Sequence, residues 1–334
     1  MNVGLNVDIF WNATEDTWVG VKYLLYICRY HSRHKLVLQG TVPQNIEDEL
    51  DEDQISMLKS ASAKYINGTP CDCEIQKYGD IYTEQSKFSL DEGIRYLSQP
   101  FMIVLENSKN DAMFIETLIE CFNKSDLQEA QRNGWLCYTN AGGCSNVVNL
   151  IEGMLAQYGG KSKFLRCFVI LDSDAFYPGH VNKNSQTTKE YLSNNLIPHH
   201  VWEKRMMENY LPIEALPEGE WKNAYASMSP QQKDHYNIVG GFGKDEHFEH
   251  SRSETTDRTC LLHDQALYFS TVSDTNYLKL RTGVNLAHVK GTFPLLFNNR
   301  NDVNYDTLIQ RTMHQSNPNE LQDLLNEIVQ TMAI

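Results

Sequence analysis

The sequence predicts an α/β protein whose middle third forms a parallel sheet flanked by helices, with N-terminal and C-terminal additions around it. Two observations carry that prediction. From Pro100 onward, short apolar runs alternate with helix-period segments, as in successive βαβ units. Two of those runs end on acidic residues, the edge at which open parallel sheets bind ligands. With 334 residues, 41% hydrophobic and 22% charged, the chain can bury one large core or two medium ones, which excludes disorder as its dominant state.

Residues 1–98 read as a small mixed α/β region. Helical periodicity runs from Asp16 to Tyr30, a strand covers Lys35 to Gln39, and a second helix lies near Ile55 to Ile66. Glu47, Asp48, Glu49, Asp51, Glu52 and Asp53 form a solvated helix start, with a basic docking surface as the alternative partner. Alternation in CDCEIQ predicts a strand with Cys71 and Cys73 on one face, a spacing too tight for a zinc knuckle.

Residues 99–215 hold the βαβ pattern. Phe101–Glu106 is a buried strand, Asn107–Asn110 its turn, and Asp111 opens a helix with Met113, Phe114, Leu118, Ile119 and Phe122 apolar. A second strand, Trp135–Gly143, ends on a glycine pair and leads into a helix from Ser145 to Tyr158. The third strand, Phe164–Asp174, ends on two aspartates. A polar excursion from Pro178 to Ser193 then precedes a strand at His199–Glu203 and a short helix at Lys204–Leu211. Residues 216–334 read as mostly helical, with helices at Tyr305–His314 and Asn319–Met332; Thr292–Phe297 is too short to assign, and no internal repeat is visible.

The net charge of −14, from 29 basic and 43 acidic residues, argues against nonspecific coating of nucleic acid, though not against an enzyme acting on it. No apolar run approaches the roughly 20 residues of a membrane span, and the first residues lack a basic flank followed by an apolar stretch. Eight scattered cysteines fit reduced thiols, so the expected compartment is the cytoplasm, with no membrane partner.

The chemistry concentrates on Glu106, Asp172 and Asp174. On an extended strand end Asp172 and Asp174 point the same way, and carboxylates converging on a third repel one another unless a cation holds them. Hard oxygen donors select Mg²⁺ or Mn²⁺. The competing reading is that these acids cap the following helices.

Taken in order, LEN followed by Asp111, then AGG, VILDSDA and KRMMENYL resemble a TOPRIM domain, the metal-binding fold of topoisomerases, primases and OLD-family nucleases. The likeness covers about residues 100–215, one third of the chain. It implies Glu106, Asp172 and Asp174 as catalytic metal ligands, with Asp111 as a further metal acid, Gly143 as the glycine at the helix start and Glu208 as the acid of the ENYL element. The sequence departs from the family at Asn107, where Gly is frequent, and Asp111 lies one residue further on than usual.

The resemblance implies a Mg²⁺-dependent endonuclease acting on DNA or RNA, similar to the stand-alone TOPRIM effectors of bacterial anti-phage defence. It also implies control by a separate ATPase or sensor protein. A non-catalytic TOPRIM-like module binding nucleic acid or a partner is the alternative, and either is compatible with a homo-oligomer. Within the nuclease reading, Lys204 and Arg205 contact phosphate or else pair with nearby acids, Glu208 completes a second metal site or is a helix acid, and Lys290 is a transition-state cation or a surface lysine.

Three other signals carry separate expectations. GGKS at Gly159–Ser162 is not a phosphate loop, because Leu155 stands where the first glycine belongs and the segment runs from helix to strand. GGFGK at Gly240–Lys244 reads as a flexible loop. His247, His250, Cys260 and His263, as HxxH and CxxH, supply a candidate tetrahedral set for structural Zn²⁺.

Overall fold

The computed structural model describes residues 1–30, 33–44, 46–78, 87–246, 261–284 and 293–333. β1 (Asn2–Asn6), β2 (Lys35–Gln39), β3 (Cys73–Ile75) and β4 (Lys87–Phe88) form one sheet in the order β2-β1-β3-β4, parallel throughout. α1 (Glu15–Tyr30) joins β1 to β2, α2 (Glu52–Ile66) joins β2 to β3, and α3 (Leu90–Leu97) follows β4. The acidic stretch before α2 is exposed apart from Leu50, and Asp51 closes a capping box by accepting from the Gln54 amide at 2.8 Å. β1 escapes sequence reading because Asn2 and Asn6 bound a run of three buried residues, too short to show a period.

A second sheet contains β5 (Phe101–Leu105), β6 (Leu136–Asn140), β7 (Cys167–Leu171) and β8 (His199–Val201), again all parallel, in the order β6-β5-β7-β8. α4 (Asn110–Cys121) and α5 (Ser125–Arg132) join β5 to β6, α6 (Cys144–Gln157) joins β6 to β7, and α7 (Lys183–Asn194) joins β7 to β8. The protein is therefore α/β with two parallel sheets flanked by helices. α7 occupies the segment read as a polar excursion: Asn182 caps it, and it buries Ser185, Thr188 and Leu192, a face too polar to register as amphipathic.

Alternation along the central strands divides the second sheet between two cores. Ile103, Leu105, Phe168 and Ile170 face one side, with Phe114, Ile115 and Leu118 of α4. Val104, Cys167, Val169 and Leu171 face the other, against Val147 and Ile151 of α6 and Leu192 of α7. Both faces are dry, which is why the strands read as uninterrupted apolar runs.

Among the described residues the C-terminal region contains α8 (Glu220–Ala226), α9 (Pro230–His235), α10 (Gly241–Asp245), α11 (His263–Tyr268), α12 (Asp274–Leu280), a 3₁₀ turn (Phe293–Leu296), α13 (Tyr305–Thr312) and α14 (Glu320–Ala333). It extends the α4-side core through Tyr225, Tyr236, Phe242 and Leu325. GGFGK is not a loose loop. Gly241 has φ +64° and packs so closely on Gly283 that a Cβ would lie 2.3 Å from the Gly283 amide nitrogen, so two backbones cross where side chains cannot fit. No helix among the described residues is long and apolar enough to cross a membrane.

A candidate carboxylate site at the sheet edge

β5 and β7 are neighbours, although a whole strand and three helices separate them in sequence. That adjacency brings Glu106, the residue after β5, beside Asp172, the residue after β7. The Asp172 amide donates to Glu106 Oε1 at 3.0 Å, so the Glu106 side chain caps the strand ladder where the backbone pairing stops.

The glycine turn after β6 wraps the same residue. Gly142 and Gly143, at φ +78° and +115°, donate their amides to the Glu106 carbonyl at 3.2 and 3.1 Å. Gly143 is the residue before the first turn of α6, and the Cys144 amide at that helix start lies near enough to the Glu106 carboxylate to lower its pKa. Side chains with a Cβ rarely adopt this backbone, which gives the AGG segment a physical reason.

Three further acids join the edge. Asp111, in the first turn of α4, accepts from the Asn107 amide at 2.8 Å. Glu208 lies in a 3₁₀ turn, Met207–Tyr210, whose Met207 amide donates to Asp172 Oδ1 at 3.1 Å. Asp174 reaches the site by a route different from the extended strand end expected: β7 stops at Leu171, and Asp174 takes φ +51° with its amide donating to the Arg205 carbonyl at 2.9 Å.

All five carboxyls lie in partly accessible residues, and burial raises every one of them above its ordinary pKa. Glu106 is pushed up to about 7 by burial, with Asp174 and Asp111 adding repulsion. Glu208 is pushed up to about 7 by burial and then by Asp111 and Glu106, and Asp111 rises to about 6 through burial. Asp172 is raised by burial, then by Glu106 and Glu208. Among the described residues none of the five forms an ion pair, and no three His, Cys, Asp or Glu groups are already gathered into a metal-holding cluster. The arrangement is a set of like-charged oxygen donors held apart by backbone amides.

Lys204 and Arg205 are not at the surface and do not offer phosphate contacts. Lys204 is 0% exposed, and its ammonium binds Asp234 Oδ1 at 2.6 Å and the Arg311 carbonyl at 2.5 Å. Arg205 grips both oxygens of Asp245, at 2.6 and 2.7 Å. Asn209 donates to the carbonyls of Lys233 and Tyr236, and the Tyr210 hydroxyl donates to Glu320. KRMMENYL thus bolts the sheet edge to the C-terminal helices, leaving Glu208 to face the acids. Asp234, Asp245 and Glu320 were invisible to sequence reading because they lie 30, 40 and 110 residues from their partners.

His180 is a further group that no motif singles out. It lies near enough to Asp174 to lower that carboxyl's pKa, while burial and then Arg205 hold its own pKa below the usual imidazole value. Its ring stacks on Phe176 with centroids 4.7 Å apart. His247, His250, Cys260 and Lys290 lie outside the described residues, and His263 is the first residue of α11. No protein-family model, curated protein or solved structure matches the chain.

Proposed function

We propose that this protein is a metal-dependent nuclease of the TOPRIM type, hydrolysing phosphodiester bonds of DNA or RNA. The observation that carries the reading is the convergence of Glu106, Asp172, Asp174, Asp111 and Glu208 on one edge of a parallel sheet, all raised in pKa and none ion-paired among the described residues. The donor set fits Mg²⁺ or Mn²⁺, since it is all oxygen and its repulsion is the kind a divalent cation relieves. Glu106, Asp172 and Asp174 are the proposed ligands, with Asp111 and Glu208 around them. Bound there, the ion would polarise the scissile phosphate and lower the pKa of an attacking water.

The chain's own contribution is orientation. The amides of Asp172 and Met207 fix Glu106 and Asp172, so their free oxygens are aimed without reorganisation when a cation arrives. His180, neutral at pH 7, is placed to carry a proton beside Asp174. A role as a toxic effector of anti-phage defence, restrained by an ATPase or sensor protein, rests on the resemblance of the sequence motifs.

One observation favours a second reading, a non-catalytic binding module. Carboxyls raised to about 7 can stay protonated without any metal. The same alanine variants separate the two. Asp172→Ala, Glu106→Ala and Asp174→Ala should keep their folds and lose Mg²⁺-dependent cleavage of DNA and RNA panels; cleavage that survives all three, or persists in excess EDTA, defeats the nuclease reading.

A further inference from the structure

β7 has two ends, and its other end carries a different chemistry. Arg166, the residue before β7, is 2% exposed and lines a cavity of about 430 Å³ between the two sheets. Its Nη2 donates to the Met332 carbonyl at 2.9 Å, and its guanidinium lies 5.1 Å from the centre of the Tyr96 ring. Its Nε and Nη1 have no hydrogen-bond partner, and among the described residues it forms no ion pair. A buried guanidinium with two unused donors is costly unless an anion completes it.

The surroundings add positive charge where the chain as a whole is acidic. Arg33 and the amino group of Met1 are both close enough to Arg166 for their pKa values to be lowered by it, after burial as the first cause. Lys163, also in the wall, holds Glu92 at 3.3 Å and keeps its ammonium 5.4 Å from the Phe88 ring centre. The one acid in the wall, Asp72, is engaged by the Asn2 amide. Phe88, Tyr96, Phe101, Leu165 and Ile197 supply the apolar remainder. A volume of this size lies in the range of small-molecule sites.

We propose that this cavity binds a small phosphorylated molecule with a planar or apolar portion, its phosphate paired with the Arg166 guanidinium. The ligand would touch β3, β4 and α3 of the first unit, the start of β7, and the last turn of α14, and so fasten the two sheets together. It would sit roughly 20 Å along β7 from the carboxylate edge, since the five residues of β7 separate Arg166 from Asp172. The site stands independently of the nuclease reading.

The test is calorimetric titration and thermal melting of the full chain in EDTA with inorganic phosphate, glucose 6-phosphate and AMP as probes. Phosphate alone should raise the melting temperature with increasing concentration, and AMP should bind more tightly because of the aromatic wall. Arg166→Met, which keeps the volume and removes the charge, should weaken AMP binding by about tenfold or more. Should that variant fail to fold, Arg166→Gln serves in its place. Leu196→Trp, at the exposed rim, should weaken binding while leaving the melting temperature of the free protein unchanged. Asp172→Ala should bind AMP as the intact protein does, so failure here and failure of the nuclease reading are told apart. Absence of binding by all three probes, or equal binding by intact protein and the Arg166 variant, overturns the proposal.

Discussion

Numbered from its own first strand, each sheet runs 2-1-3-4 with every strand parallel, yet the edges where the strands end have little in common. After β1 and β3 come Val7 and Gln76; after the corresponding β5 and β7 come Glu106 and Asp172. Two acids lie near the first edge: Asp8 accepts from the Lys77 amide at 3.0 Å, and Glu74 from Gln39 at 2.8 Å. On the second edge five carboxyls are raised in pKa by burial, and none is ion-paired among the described residues. One topology therefore builds two edges of different chemistry, and that chemistry resides in the side chains placed there.

The sharpest way to break the contrast is to remove the acids of each edge in turn. Asp172→Ala or Glu106→Ala should reduce nucleic-acid cleavage by orders of magnitude while the metal-free protein melts no lower at pH 8, because repulsion has been relieved. Parallel cleavage and melting assays on the same samples check this. A drop in melting temperature with unchanged activity would make them helix caps.

Next in size is the clamp behind the second edge. Lys204→Ala leaves Asp234 without its ammonium partner in a dry site and should cost about 3–5 kcal/mol by denaturant unfolding. Lys204→Met, which fills the same space, should cost less only if Asp234 can rely on His314, whose Nε2 lies 2.5 Å from it.

A pH series sharpens the comparison further. Folded-state values of about 7 for Glu106 and Glu208 and about 6 for Asp111 lie above those of the unfolded chain. Such groups contribute stability that is fully present below the ordinary carboxylate range and is lost progressively as pH rises from that range through about 7. Metal-free protein should accordingly lose stability over that window, and added Mg²⁺ should restore more at pH 8 than at pH 5.5. The smallest effect belongs to the first edge: Asp8→Ala should lower stability by about 1 kcal/mol and leave cleavage unchanged.

How far the sequence was legible varied with the range of the interaction. β5, β7 and their terminal acids were readable because burial on both faces writes a continuous apolar run into five residues and the chain itself delivers the acid at its end. The neighbour relation of β5 and β7 was not, since strand order is a property of packing. The fate of Lys204 and Arg205 was open: they read as phosphate contacts or as partners of acids, and they pair with Asp234 and Asp245, which arrive from helices 30 and 40 residues on. The repeated strand order was equally hidden, because Gln76 and Asp172, or Val7 and Glu106, share a place and no chemistry.

The central claim is that the second edge holds a divalent cation. Calorimetric titration of the metal-free full chain with Mn²⁺ at pH 8, beside the Asp172→Ala and Asp8→Ala variants, tests it most directly. The account predicts saturable binding in the intact protein and in Asp8→Ala, lost in Asp172→Ala. Equal binding by all three proteins, or none in the intact chain, would contradict it.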